Sequence, residues 1–341
     1  LLLPTSGSTG SAKYVRVSHE NIISNTDAIS AYLQIKESDT VITTLPPNYS
    51  YGASVLHTHF SRGSSIVVTK SSLIEKEFWK LLNEHKVTTF NGVPFHYEML
   101  MRLKFDKKYL PNLRVLTQAG GHLKSELKGY FIDYCIANNK SFYVMYGQTE
   151  ASPRISYITF PDLLDATDSI GSGIDNCKLF LVNENNEEIF KSNTVGELNV
   201  MGKNITMGYS HTFKDLAESN EFKGLLKTGD LAYYDEKNRF YIVGRMSRFV
   251  KIVGKRINLD DLQNIINELG YENVCTGNDS FIKIGCTKIS PDNQINLIRT
   301  LMQKINIPKN AIKIFQIDVI ERKLSGKVAY EENDKKMEAL L

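Results

Sequence analysis

Residues 87–145 hold the pattern that decides the fold: Val87-Thr88-Thr89-Phe90, then Val115-Leu116-Thr117, then Phe142-Tyr143-Val144-Met145. Each run is short and rich in β-branched or aromatic residues, which suits a buried strand. Between them, Phe95–Leu103 and Leu123–Ala137 read as amphipathic helices. Strand, helix, strand with short links makes a mainly parallel sheet covered by helices. The pattern extends toward the N terminus. Strands are expected at Val41–Leu45 and Ser65–Val68, and helices at Asn21–Leu33 behind a Ser18 cap, Tyr51–Ser61 and Glu75–Glu84. Ligands of such sheets bind in the loops after the carboxyl ends of the strands.

Downstream, helical periodicity fades and short strands are broken by Gly, Asn and Asp: Lys178–Val182, Gly196–Met201, Leu231–Tyr234 and Phe240–Val243. Asp235-Glu236-Lys237-Asn238 is a hairpin turn signal. After Arg245 the style changes again. A strand at Phe249–Val253, a helix after Asp260-Asp261, a strand pair near Phe281–Cys286, a helix at Gln294–Ile305 and a strand at Ile312–Val319 make a compact α+β unit. The expected fold is therefore α/β: an α/β part over 1–154 and a β-rich lobe over 155–245 form a large domain 1–245. A small C-terminal α+β domain, 246–341, follows a boundary at Met246-Ser247.

The chain has 341 residues, enough for two domains and a sizeable core. Lys+Arg 41 against Asp+Glu 38 leaves a net charge of +3, which gives no electrostatic case for nucleic acid or an anionic membrane. No apolar run reaches the roughly 18 residues a membrane span needs. Cys135, Cys177, Cys275 and Cys286 show neither a C-x-x-C spacing nor His partners at zinc spacing. They read as small buried hydrophobes in a reducing, cytoplasmic compartment.

Four segments carry chemistry. Thr5-Ser6-Gly7-Ser8-Thr9-Gly10-Ser11-Ala12-Lys13 combines flexible glycines, hydroxyls and a cation, which suits a polyphosphate. It lacks the Walker spacing, and it lies between the strand-like Leu1–Leu3 and Tyr14–Val17. Tyr146-Gly147-Gln148-Thr149-Glu150 follows the strand Phe142–Met145 and offers a stacking ring, a hydroxyl and a carboxylate able to hold Mg²⁺. Lys227-Thr228-Gly229-Asp230, with Gly244-Arg245 a strand pair later, offers an acid for ribose hydroxyls. Lys323-Leu324-Ser325-Gly326-Lys327 puts a Lys on a Gly-flexed loop. Alone, each also reads plainly, as a linker, a turn with a surface acid, two hairpin turns and a basic tail.

Their order and spacing together resemble the adenylate-forming superfamily: acyl-CoA synthetases, peptide-synthetase adenylation domains and luciferases. The resemblance runs from Leu3 to about Tyr330. Ser50-Tyr51-Gly52, Gly92-Val93-Pro94 and Gly147-Gln148-Thr149-Glu150 look most like bacterial acyl-activating members. It implies an enzyme, an AMP-forming acid–thiol ligase. Such a ligase joins a small carboxylic acid to ATP, releases pyrophosphate, and passes the acyl group to coenzyme A or to the phosphopantetheine of an acyl carrier protein.

The resemblance also implies residue roles. Thr5, Ser6, Gly7, Ser8, Thr9, Gly10 and Lys13 would hold the β- and γ-phosphates. Tyr146 would stack on adenine, with Gly147 and Gly121 also at the nucleotide, and Thr149 would touch the α-phosphate. Glu150 would bind Mg²⁺, and Asp230 and Arg245 would hold the ribose. Lys327 would bridge the carboxylate and α-phosphate, supplying positive charge where two anions meet. Tyr51, Gly52 and Gly120 would border the acyl pocket, Gly254 the thiol tunnel, and Ser247 would be the hinge.

There are departures. Amino-acid-activating members carry an Asp where this chain has Gly52, and an Asn where it has Val144. The hinge residue is usually Asp or Lys, here Ser247. An amino-acid-activating domain and an adenylate-binding protein without turnover are the alternatives. Leu1 is not a start Met, and the phosphate loop begins at Thr5. A further lobe is therefore expected ahead of this chain, and its absence is expected to leave an apolar patch.

Overall fold

A computed structural model describes residues 1–4, 13–322 and 328–341. By its internal contacts the chain forms two compact units. One comprises 1–228 with 232–242, the other 229–231 with 243–341.

The first unit is built on a seven-stranded sheet. Its spatial order is Ser65–Val67, Thr40–Ile42, Thr89–Gly92, Val115–Gln118, Ser141–Gly147, Arg154–Ile158, Ser172–Gly173. The first five strands are parallel and the last two antiparallel. Alternate residues face opposite layers. Leu116 and Phe142 join one core cluster, with Phe78 and Leu82 of α3 (Lys76–Glu84), Tyr97 and Leu100 of α4 (Pro94–Arg102), and Phe131 of α5 (Ser125–Ala137). Their neighbours Val115 and Tyr143 join the other, with Ile29 of α1 (His19–Tyr32) and Tyr51 and Val55 of α2 (Ser50–Ser61). Helices thus cover both faces of a mainly parallel sheet, as the sequence led one to expect. Ser18 caps α1 as a capping box, its hydroxyl accepting from Asn21 N at 3.1 Å while the Asn21 side chain accepts from Ser18 N at 2.9 Å.

Two strands correct the sequence reading. Arg154–Ile158 and Ser172–Gly173, expected in the β-rich lobe 155–245, extend the large sheet instead. Beyond them, Cys177–Val182, Gly196–Gly202, Leu225–Tyr234 and Phe240–Arg245 form a four-stranded sheet over a core of Leu181, Leu198, Val200 and Leu226. The hairpin at Asp235–Asn238 is present, closed by Asn238 N to Asp235 O at 3.0 Å. Leu2–Pro4 and Tyr14–Arg16 pair antiparallel around the 5–12 segment, and Tyr209–Ser210 adds a third strand.

In the second unit, Phe249–Ile252 and Lys255–Asn258 form a hairpin. Its turn residues Val253 and Gly254 both have positive φ, +49° and +76°. Such a two-residue turn matches strand twist, and glycine enters it without strain. The helix Leu259–Glu268 is capped by Asn258, whose side chain accepts from Asp260 N at 2.9 Å. Asp260 and Asp261 therefore lie inside its first turn rather than before it, where their charge suits the helix dipole. A three-stranded sheet, Asn273–Gly277, Ile282–Cys286 and Ile312–Gln316, packs with Pro291–Ile305 around Ile266, Ile284, Leu297 and Leu301.

Candidate active site

The segment Tyr146–Glu150 leaves the carboxyl end of the strand Ser141–Gly147 and turns through one 3₁₀ turn, Thr149–Ala151. All five residues are partly exposed. Gly147 is required by a close approach: a Cβ there would stand 2.0 Å from the Pro153 carbonyl oxygen. Gln148 Nε2 donates to Thr228 O at 3.0 Å. The Thr149 hydroxyl lies 3.2 Å from Ser50 Oγ, at the first turn of α2.

Glu150 is held twice from one segment. Its main-chain oxygen accepts from Thr206 N at 3.0 Å, and Oε1 accepts from the Tyr209 hydroxyl at 3.0 Å. Lys13 Nζ lies 3.2 Å from the centre of the same Tyr209 ring, a cation–π contact. Burial, then the neighbouring Glu150 charge, pushes the Tyr209 phenol well above its ordinary value. It therefore stays a neutral donor joining the cation of Lys13 to the carboxylate of Glu150. Sequence reading missed Tyr209 and gave Ser50, quoted in Ser50-Tyr51-Gly52, no role of its own. No local pattern marks Tyr209, because it reaches Glu150 through long-range pairing.

Asp230, 3% exposed, pairs with Arg245, Nε to Oδ1 at 3.0 Å. Gly229 just before it has φ +71°. Ser247 lies in the short turn Met246–Arg248, and Gly254 at the tip of the hairpin with nothing within 4 Å of a would-be Cβ. Asp230, Arg245, Ser247 and Gly254 all belong to the second unit.

Tyr51 is 3% exposed. Its hydroxyl lies 2.6 Å from Thr117 Oγ1, which itself donates to Asn91 Oδ1 at 2.7 Å. The structure thus packs Tyr51 inside the layer between α2 and the sheet. Gly52 has a backbone reason to be glycine: a Cβ would meet Pro46 O at 2.2 Å. Gly120, φ +83°, faces the Tyr49 hydroxyl at 2.5 Å from a would-be Cβ, and Gly121 the Pro94 ring at 3.2 Å. Thr5, Ser6, Gly7, Ser8, Thr9, Gly10 and Lys327 lie outside the described residues.

Thr149 and Glu150 offer hard oxygen donors. Among the described residues no three His, Cys, Asp or Glu gather as a metal cage. A Mg²⁺ carried on phosphates keeps its waters and needs only one or two carboxylates, so this donor set fits such an ion. An open groove of about 840 Å³, lined by Glu20, Asn176, Cys177, Lys178 and Lys203 among others, contains none of the expected site residues. Among the described residues no helix is long and apolar enough to cross a membrane.

The motif Tyr146–Glu150 thus stands at the carboxyl end of a helix-covered sheet. The family model described as AMP-binding enzyme matches residues 1–210, and the chain belongs to that family. It is 26% identical over 273 residues to the luciferin 4-monooxygenase of Luciola mingrelica, covering 78% of this chain and 48% of that protein. It is 29% identical over 275 residues to the 4-coumarate–CoA ligase-like 9 of Arabidopsis thaliana, again 78% and 48%. Its fold is similar to the o-succinylbenzoate CoA synthetase of Bacillus subtilis solved with an acyl-adenylate intermediate, with a TM-score of 0.79 at 21% identity, over 97% of this chain and 68% of that one. The chain spans about half the length of the first two relatives.

Proposed function

We propose that this chain belongs to an enzyme that activates a carboxylic acid with ATP. It forms an acyl-adenylate, releases pyrophosphate, and transfers the acyl group to the thiol of coenzyme A or of a carrier-protein phosphopantetheine. The observation that carries the reading is the Lys13–Tyr209–Glu150 chain, which holds a cation and a carboxylate together beside Thr149. A triphosphate needs that pairing: ammonium charge for the phosphate oxygens, and one carboxylate for their Mg²⁺. When bound, Mg²⁺ offsets charge developing on the phosphates.

In this reading Lys13 and the loop 5–10 hold the terminal phosphates, Thr149 the α-phosphate, and Glu150 the Mg²⁺. Tyr146 stacks on adenine beside Gly147 and Gly121, and Asp230 with Arg245 takes the ribose. Lys327 comes to the meeting point of carboxylate and α-phosphate. Tyr51, Gly52 and Gly120 border the acyl group, Gly254 the thiol path, and Ser247 is the pivot that lets one small domain serve two steps. The domains in this reading remain 1–245 and 246–341. Four free cysteines, three of them buried, accord with a reducing cytoplasm.

Gly52 disfavours the amino-acid-activating alternative. Its Cβ position is taken by Pro46 O, so the acid that would pair with an α-ammonium group has no place there, and that group would be desolvated without a partner. The test is pyrophosphate exchange against a panel of carboxylic and amino acids. Exchange with simple acids is expected. Exchange with α-amino acids alone would favour the alternative, and none with any acid would favour adenylate binding without turnover.

A further inference from the structure

Arg154 is the largest fully buried side chain among the described residues, at 2% exposure. Arg16, Arg62, Arg114, Arg239, Arg245 and Arg248 each pair with a carboxylate. Arg154 has no such pair among the described residues, and its Nε has no hydrogen-bond partner. The segments 5–12 and 323–327 contain no Asp or Glu to supply one. A buried guanidinium cannot shed its proton, and an unpaired buried charge is costly.

Its surroundings are phenols. The guanidinium lies 5.1 Å from the centre of the Tyr51 ring, and its charge is felt at Tyr32. The Tyr32 hydroxyl donates to Met145 Sδ at 3.0 Å, a weak acceptor. Burial pushes Tyr32, Tyr49 and Tyr51 upward despite the nearby Arg154 charge. They are neutral and do not serve as counter-ions. A second donor in this layer is also unmatched. Asn91 Nδ2 is buried without a partner, and Asn91 connects to Tyr51 through Thr117. Both unmatched atoms are donors, so both call for an acceptor.

The fold places this charge beside the nucleotide motif. Arg154 is the register partner of Gly147, and its Cα would lie 3.2 Å from a Cβ there. Its backbone is fixed by two buried amides: Asn25 Nδ2 and Asn204 Nδ2 donate to Arg154 O at 3.0 and 2.8 Å. The backbone is thus held firmly, and the guanidinium reaches the side of the motif where Tyr51 lies.

Resting on the function proposed above, we propose that Arg154 determines substrate specificity by receiving a second anionic group on the acid being activated. The substrate class is then a dicarboxylic acid: one carboxylate attacks phosphorus near Thr149, and the other pairs with Arg154. Entry requires a side chain of the tyrosine cluster to move, and Tyr49, partly exposed against Gly120, borders the way in.

The test is pyrophosphate exchange with matched mono- and dicarboxylic acids, aliphatic and aryl, on the protein and its Arg154→Gln and Arg154→Lys variants. The expected result is a diacid preference of roughly 10²-fold in kcat/KM, the size that follows from losing one partner of a buried charge pair. It is lost in Arg154→Gln, with monoacid exchange retained, and largely kept in Arg154→Lys. A preference for monoacids, or an equal fall for both acids in Arg154→Gln, overturns the proposal. If no acid supports exchange, the proposed reaction falls, and melting temperature reads the anion site directly. Stabilisation by a diacid in the protein but not in Arg154→Gln supports the site, and no difference overturns it.

Discussion

The Arg248 guanidinium carbon lies 3.8 Å from the centre of the Tyr330 ring. The same side chain donates from Nε to Asp260 Oδ1 at 2.8 Å and from a terminal nitrogen to Cys275 O at 2.6 Å. One residue thus ties the start of the first hairpin to the helix Leu259–Glu268, to the strand Asn273–Gly277, and to the helix Tyr330–Glu338. Arg248→Met keeps the stem and removes these bonds. It should cost about 1–3 kcal/mol, with the buried carbonyl left unmatched. Trp79 is the sole tryptophan and lies in the first unit. In urea, the far-ultraviolet dichroism midpoint should fall while the tryptophan fluorescence midpoint holds. Unchanged dichroism would show that the clamp is energetically idle.

Met246 and Ser247 lie between two arginines that each hold an acid, Arg245 on Asp230 and Arg248 on Asp260. Ser247→Pro fixes one φ and restricts the residue before it. The expected outcome is near-normal pyrophosphate exchange with thioester formation blocked. Normal overall turnover would remove the pivot from this position.

The sheet and its helices were legible because their apolar period is clean, as at Val115/Leu116 and Phe142/Tyr143. The strand Arg154–Ile158 was not. Arg154 and Ser156 are buried there beside Ile155 and Ile158, and a strand that buries polar residues along with apolar ones lacks the clean apolar run that marked its neighbours. Tyr209 was hidden for another reason: its partners Glu150 and Lys13 are far off in sequence, and the third strand that carries it exists only by long-range pairing. Gly52 was legible as a departure, but not its cause, which is the Pro46 carbonyl.

That carbonyl makes Gly52→Asp a sharp test. A Cβ 2.2 Å from Pro46 O forces backbone to shift at the start of α2. A cost of about 1–3 kcal/mol follows from such overpacking, measured as a lower urea midpoint. Amino-acid exchange should not appear. A stable Gly52→Asp variant that activates α-amino acids would show that the glycine is a substrate choice rather than a packing requirement.

Lys327→Ala addresses the meeting of two anions. Removing one positioned charge commonly costs on the order of 10²–10³ in rate. Acyl-adenylate formation should fall by that factor, while thioester formation from a supplied adenylate changes little. Equal loss in both half-reactions would place Lys327 elsewhere in the chemistry.

Acid stability should depend on His96. Its Nδ1 accepts from Val93 N at 3.3 Å, bonding the backbone at the start of α4, and burial holds its pKa down to about 4 from 6.5. The positive end of the helix dipole adds to the preference for a neutral ring. Between pH 6.5 and about 4 the unfolded chain binds a proton that the folded one refuses, so stability rises with pH across that window. The contribution is fully present above about pH 6.5 and lost as pH falls through the folded value, amounting to about 1–3 kcal/mol once the ring's partial exposure is allowed for. His57, His59 and His122 are lowered too, chiefly by burial, and slope the same way. The difference between the protein and His96→Gln therefore isolates the effect. Urea midpoints at pH 7, 5.5 and 4.5 should converge on the variant's as pH falls. Parallel curves across that range would mean that His96 titrates alike in both states.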